Sequence, residues 1–203
     1  MTYPLGVVEI VFAPASQAEA AELAAGLGFD HIDLVTEPGG PLALPIVDRF
    51  VAGTPRPDWS SGAPPAAEGN WERAVRAFRK APGSRVEPWA GSIIDSVEKI
   101  RAFLSEAPET ALLLDTGHVA NWGEDPAELI PYAGHIQLRQ ARRGVPQAAE
   151  GDIDFARFIT ELDRLGYDGA LSVEYFDLPD YGYPLDDPIG HAIALAERVR
   201  ALL

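Results

Sequence analysis

The sequence predicts one α/β domain, a barrel of parallel (β/α) units abridged to about seven strands. Three observations lead there. Short apolar runs alternate with amphipathic helical stretches. The run ALLL at 111–114 is apolar without interruption, as suits a strand buried on both faces. At 203 residues the chain is also shorter than the roughly 250 of a complete eight-unit barrel. An open doubly wound sheet is the competing architecture, but the glycine-rich phosphate loop that usually follows its first strand is missing.

Taken in order, GVVEIVFA (6–13) reads as a strand, and Ser16 caps a helix that runs to about Gly28. HIDLVT (31–36) is the second strand. In PLALPIVDRF (41–50) two prolines confine strand character to the second half. Residues 51–69 are rich in Pro, Gly and Ser and read as one long irregular loop within a single domain spanning 1–203. The alternation then becomes regular. NWERAVRAFRKA is a helix, SRVEPWA (84–90) a strand, SIIDSVEKIRAFLSEA a helix and ALLLD a strand. DPAELIPYA is a short helix with Pro126 in its first turn, and HIQLRQ (135–140) a strand. DFARFITELDRLG is a helix ended by Gly166, ALSVEYF (170–176) a strand, and IGHAIALAERVRALL a closing helix. Seven strands result, with a gap or weak seam expected beside the 51–69 loop.

Composition narrows the function classes. Hydrophobic residues make up 47% and charged ones 23%, an ordinary globular balance. There is no cysteine, so disulfides, thiolate metal sites and a cysteine nucleophile are excluded. A formal charge of −15 repels a polyphosphate backbone, which argues against nucleic acid as a partner. No apolar run is long enough to span a membrane, and MTYPLGVVEI lacks the marks of a signal peptide, so a cytoplasmic location is expected.

The last four strands end alike. Glu87, Asp115, Gln137 and Glu174 each bring an oxygen ligand to the end of an apolar run, about one βα unit apart. In a barrel these would converge at the C-terminal end, where catalytic groups collect. Three carboxylates so gathered repel one another, and a divalent ion is the simplest remedy. An all-oxygen set suits Mn²⁺ or Mg²⁺, with Zn²⁺ or Co²⁺ as secondary choices. Taken singly, Glu87 or Glu174 is equally a solvated loop residue, and His118 equally a turn or core histidine.

The runs LLLDTGH, GHIQLRQ and EGDIDFARFITELDRLGYDGALSVEYF resemble the C-terminal half of the xylose-isomerase-like TIM barrels. The resemblance covers about Arg85 to Phe176. It implies a divalent-metal-dependent isomerase or epimerase of a sugar, sugar phosphate or short hydroxy-keto acid, working by proton transfer through a metal-stabilised enediolate. Its metal set falls on Glu87, Asp115, Gln137 and Glu174, with Glu87 and Glu174 also the catalytic base and acid, and His118 bonded to a substrate oxygen. Most members carry histidine where Gln137 stands; hydroxypyruvate-isomerase-like members resemble this chain in having glutamine. Arg139, Arg142 and Arg143 are candidates to hold a substrate carboxylate or phosphate. Trp89 and Trp122 are candidates for a sugar-facing wall, with core packing as the competing role; His31 and Asp33, on the second strand, are candidates to face the same cavity, with a polar strand end of no function as the alternative. The rival functions are a metal-dependent lyase or phosphodiester hydrolase on the same scaffold, and a non-catalytic binding relic.

A missing helix and strand would leave apolar edges exposed, and such edges are normally covered. The sequence therefore predicts a homodimer that buries the seam. Light scattering at micromolar concentration should give twice the chain mass; a stable monomer would rule the dimer out.

Overall fold

The computed structural model describes residues 3–203. Eight strands, all parallel, form one sheet: β1 (Leu5–Val8), β2 (Ile32–Leu34), β3 (Ile46–Arg49), β4 (Ser60–Gly62), β5 (Arg85–Glu87), β6 (Ala111–Asp115), β7 (Ala133–Leu138) and β8 (Leu171–Val173). Their order is β3-β2-β1-β8-β7-β6-β5-β4. The two end strands meet through a parallel bridge between Phe50 and Ser60, where the Val51 N–H donates to the Ser60 carbonyl at 2.8 Å. The sheet is thus a nearly closed TIM-type barrel.

The seven-strand expectation is corrected to eight. The additional strand, β4, lies inside the proline-rich loop, and its sequence, Ser60-Ser61-Gly62, has no apolar alternation to announce it. Backbone pairing with β5 holds it, in register Ser60 to Arg85, Ser61 to Val86 and Gly62 to Glu87. What the barrel lacks is helices. Among the described residues no α-helix joins β2 to β3 or β3 to β4, and Val47 on β3 is left 44% exposed.

Elsewhere local chemistry sets the helices. Ser16 forms a capping box with Glu19 at the start of α1 (Gln17–Gly26). Helix α2 (Asn70–Phe78) follows Gly69, and α3 (Val97–Glu106) begins at Ser96, which accepts the Lys99 N–H. The run expected to be helical from Ser92 therefore starts five residues later. Asp154 and Gly166 bound α5 (Phe155–Leu165), and α6 (Pro188–Arg200) starts at a proline. DPAELIPYA becomes a 3-10 turn, Pro126–Tyr132, with Pro131 inside it. The first strand stops at Val8, and Glu9–Phe12 turn into 3-10 helix. No helix among the described residues is long and apolar enough to cross a membrane.

The N-terminal half of the barrel interior is polar. His135 Nε2 lies 2.7 Å from Asp33 Oδ2 and 3.2 Å from Ser172 Oγ, and His31 Nε2 lies 2.9 Å from the same Ser172 Oγ. The Asp48 N–H donates to Asp33 Oδ1 at 2.9 Å. Arg85 then pairs with Asp48 and donates from Nε to Ser60 Oγ at 3.0 Å. Gly6 leaves the space that the His31 ring fills, since a Cβ there would lie 2.3 Å from it. This network joins β3 to β4 and β5 across the seam that a single ladder bond otherwise closes.

Burial alone would raise the Asp33 pKa, but the adjacent His135 lowers it overall; burial alone would lower the His135 pKa, but Asp33 raises it overall. The Asp33 share of stability is present above about pH 4 and is lost as pH falls through its depressed pKa. The His135 share is present below about pH 6.5 and is lost as pH rises through its elevated pKa. Asp33→Ala, which strands a buried imidazolium, should cost about 3–5 kcal/mol in urea unfolding. The deficit should be greatest between about pH 4 and 6.5 and narrow on either side.

Candidate active site

The four polar strand ends come together at the C-terminal end of the barrel. Asp115 and Gln137 are partners in the β6–β7 register, and Gly62 partners Glu87 at the end of β5. Glu174 follows β8, where its N–H donates to the Leu138 carbonyl at 3.0 Å. Asp115, Gln137 and Glu174 are buried and Glu87 nearly so. Asp115 also caps a short helix, α4 (Thr116–Trp122): its Oδ1 accepts the Gly117 N–H at 2.7 Å and the His118 N–H at 3.4 Å. That cap turns His118 inward, with Nε2 at 3.6 Å from both Glu87 Oε1 and Asp115 Oδ2.

A cavity of about 490 Å³ opens above these groups. Glu87, His118, Gln137 and Glu174 form its polar side. Phe50, Trp89, Phe176, Leu178, Tyr181 and Tyr183 supply much of the rest, and its lining holds no lysine or arginine. Trp89 is fixed by donating from Nε1 to the Ala63 carbonyl at 2.6 Å. The YFDLPDYGYPLDD segment after β8 thus forms the mouth on one side.

Arg139 lies beneath, fully buried. Its backbone N–H donates to Thr116 Oγ1 at 3.0 Å, and the Thr116 hydroxyl donates back to the Arg139 carbonyl at 3.0 Å. The guanidinium pairs with Asp115 through Nη2 and stands 3.4 Å from Glu174 Oε2 through Nη1. Phe176 and Tyr183 cover its face, with ring centres 5.0 and 5.6 Å away. Gly117 makes the approach possible, because a Cβ there would lie 2.5 Å from Arg139 Nε.

Electrostatics follow from this crowding. The Glu174 carboxyl is raised well above the ordinary range, first by burial and then by the charges of Asp115 and Glu87, with Arg139 opposing. Burial likewise pushes the Tyr183 hydroxyl up to about 12. Two groups of side chains have donor atoms close enough to hold a metal ion, within 4.8 Å of one another: Glu87, Asp115 and His118, and His31, Asp33 and His135. The first group is carboxylate-rich and has Gln137 beside it on the cavity wall, its Oε1 buried without a hydrogen-bond partner. That set fits a hard divalent ion. The second group is paired internally through Ser172 and the Asp33–His135 contact, leaving His31 Nδ1 buried without a partner.

Residues 18–199 match the family model described as xylose isomerase-like TIM barrel. The chain belongs to that family. Among curated proteins none matches. Solved structures similar to this xylose isomerase-like barrel include D-psicose 3-epimerase with D-tagatose from Clostridium cellulolyticum H10, at 16% identity and TM-score 0.73, covering 98% of this chain and 99% of that one. Another is 3-keto-D-glucoside 4-epimerase from E. coli, at 13% identity and TM-score 0.72, covering 98% and 100%. A third is the probable 3-DHS dehydratase of petrobactin synthesis from Bacillus anthracis, at 14% identity and TM-score 0.69, covering 97% and 99%. At these identities the likeness is one of fold.

Within this family member, Glu87, Asp115, His118, Gln137, Arg139, Glu174 and Trp89 share one region, whereas the other candidates stand apart. His31 belongs to the polar layer lower in the barrel. Trp122 bonds through Nε1 to Glu124 Oε2 at 2.6 Å and packs on the core. Arg143 lines a separate cleft with Glu124, Asp125 and Asp152, while Arg142 is exposed. Trp59 lies between Arg49 and Arg56. Phe176 and Tyr183 belong to the YFDLPDYGYPLDD segment, whose richness in aromatics after the last strand is their signal in the sequence.

Gly117→Ala should drive a methyl group into Arg139 and the Pro146 carbonyl, 3.0 Å away on its other side. The expected cost is about 1–3 kcal/mol. Urea unfolding checks this; a variant as stable as wild type would show that the guanidinium has room to move.

Proposed function

We propose that this chain is a sugar epimerase or isomerase acting on an uncharged keto sugar by proton transfer next to the carbonyl. One observation carries the reading. Two carboxyl groups from non-adjacent strand ends, Glu87 and Glu174, face a single cavity whose remaining wall is largely aromatic. The aromatic wall suits the C–H faces of a sugar ring or chain. A phosphate or carboxylate substrate would meet two carboxylates and no lysine or arginine on the lining, which favours an uncharged sugar over the charged substrates.

The chemistry follows from the residues. Without metal, burial inclines Glu174 to hold the proton it later gives, and Glu87 receives the proton from the carbon beside the substrate carbonyl. The electron pair left behind forms an enediolate, and His118 is placed to hydrogen-bond one of its oxygens. Glu174 then returns a proton, to the opposite face of that carbon in an epimerase, or to the neighbouring carbon in an isomerase, where the hydroxyl proton also passes to the former carbonyl oxygen. Trp89 and Phe176 hold the substrate's apolar side and exclude water. When bound, a divalent ion such as Mn²⁺ or Mg²⁺ at Glu87, Asp115, Gln137 and Glu174 supplies charge stabilisation for the developing oxyanion.

A lyase reading shares the first step and is supported by the fold likeness to a probable dehydratase. It predicts loss of water after proton removal. A phosphodiester hydrolase fits poorly with a cavity lined by no lysine or arginine and a net charge of −15.

In heavy water with Mn²⁺ or Mg²⁺ added, the protein should incorporate deuterium into a ketose without eliminating water. Glu87→Gln and Glu174→Gln should each slow the exchange by about 10²- to 10⁴-fold, and a chelator should depress it. Lack of exchange with any ketose would overturn the proposal, and elimination would select the lyase.

A further inference from the structure

The mechanism leaves one group unused: a guanidinium buried among the carboxylates of the metal set. Arg139 is fully buried, pairs with Asp115 through Nη2 and lies 3.4 Å from Glu174 Oε2. Asp115 has no oxygen to spare, since Oδ1 accepts the N–H groups that open α4 and Oδ2 meets Arg139. A divalent ion at this set must share Asp115 Oδ2 or take it from the arginine. It must also settle beside a like charge in a buried site, which weakens binding.

The fold makes room for the arginine deliberately enough to leave traces in three places. Gly117 has no side chain where Arg139 Nε passes. The Thr116 hydroxyl clamps the Arg139 backbone from both its N–H and its carbonyl. Phe176 and Tyr183 close over the guanidinium. Arg139 Nε and Nη1 nevertheless find no hydrogen-bond acceptor among the described residues. The charge is therefore held by the carboxylates and the ring faces, not by a saturated set of hydrogen bonds.

We infer that Arg139 is a resident cation that holds the strand-end carboxylates together without metal and competes with a divalent ion for Asp115 and Glu174. This rests on the metal set of the preceding proposal and adds a consequence: metal binding is weak and exchangeable, and the ion is an addition to an assembled site. The rival role, a purely structural ion pair, predicts the opposite response to removal, because loosening a site lowers its affinity for any ligand.

The test is Mn²⁺ binding to the whole protein, read from the free-ion electron paramagnetic resonance signal. Arg139→Met should bind Mn²⁺ at least tenfold more tightly than wild type, while Arg139→Lys, which keeps the charge, should stay close to wild type. Thermal unfolding gives a second readout, with Mn²⁺ raising the midpoint of R139M more than that of wild type. Should R139M fail to fold even with Mn²⁺, the double variant R139M/E174Q against E174Q alone keeps the comparison, with the same direction expected. Equal or weaker binding by the methionine variant overturns the inference. Absence of Mn²⁺ binding in every variant overturns it together with the metal set, and deuterium exchange in chelator would then still leave the proton-transfer proposal standing.

Discussion

Like charges placed at neighbouring strand ends set the problem that the upper half of this barrel is organised to meet. Glu87, Asp115 and Glu174 are carried to one place by the parallel topology, out of bulk water, where their repulsion is poorly screened. The Arg139 guanidinium is the cation that the chain itself supplies. Its neighbours make sense in that light: a threonine fixing its backbone, a glycine vacating its path, aromatic rings over its face. Burial first, and then the carboxylates packed this closely, keep Glu174 inclined to hold a proton.

A second polar assembly lies deeper in the barrel and serves closure. Barrel interiors of this type are commonly filled by branched apolar side chains. Here Asp33, Asp48, Ser60, Arg85, His135 and Ser172 form a connected layer reaching six strands. The ion pair from Arg85 to Asp48 spans the place where β3 and β4 share one backbone bond. Short strands without apolar alternation can therefore complete the sheet, because side-chain hydrogen bonds contribute what the ladder lacks. Such a network is costly when any member loses its partner, so it favours one arrangement of strands over alternatives.

The half of the fold from β5 to β8 is legible in the residues because its strands alternate regularly with helical stretches, and β6, β7 and β8 carry apolar runs. Asp115, Gln137 and Glu174 were visible as polar interruptions at the ends of such runs. β4 was not, since Ser60-Ser61-Gly62 is recognisable only through the backbone groups of β5. Helix α4 was hidden for a related reason: DTGH reads as a turn, and its cap is the same aspartate that faces the site. The placement of Arg139 was equally illegible. A basic residue after a strand reads as a solvated loop or a substrate clamp, and only the space left by Gly117 and the covering rings reveal an inward course.

The missing helices have their own meaning for motion. Along β3 Val47 is exposed, and among the described residues no α-helix joins that strand to either neighbour in sequence. Phe50 and Ala52, on the rim of the cavity, follow directly from that stretch. Segments with few packed neighbours open most readily. The unbacked wall is thus the side on which the vestibule has the most freedom to breathe, while the opposite rim stays anchored to the layered part of the molecule.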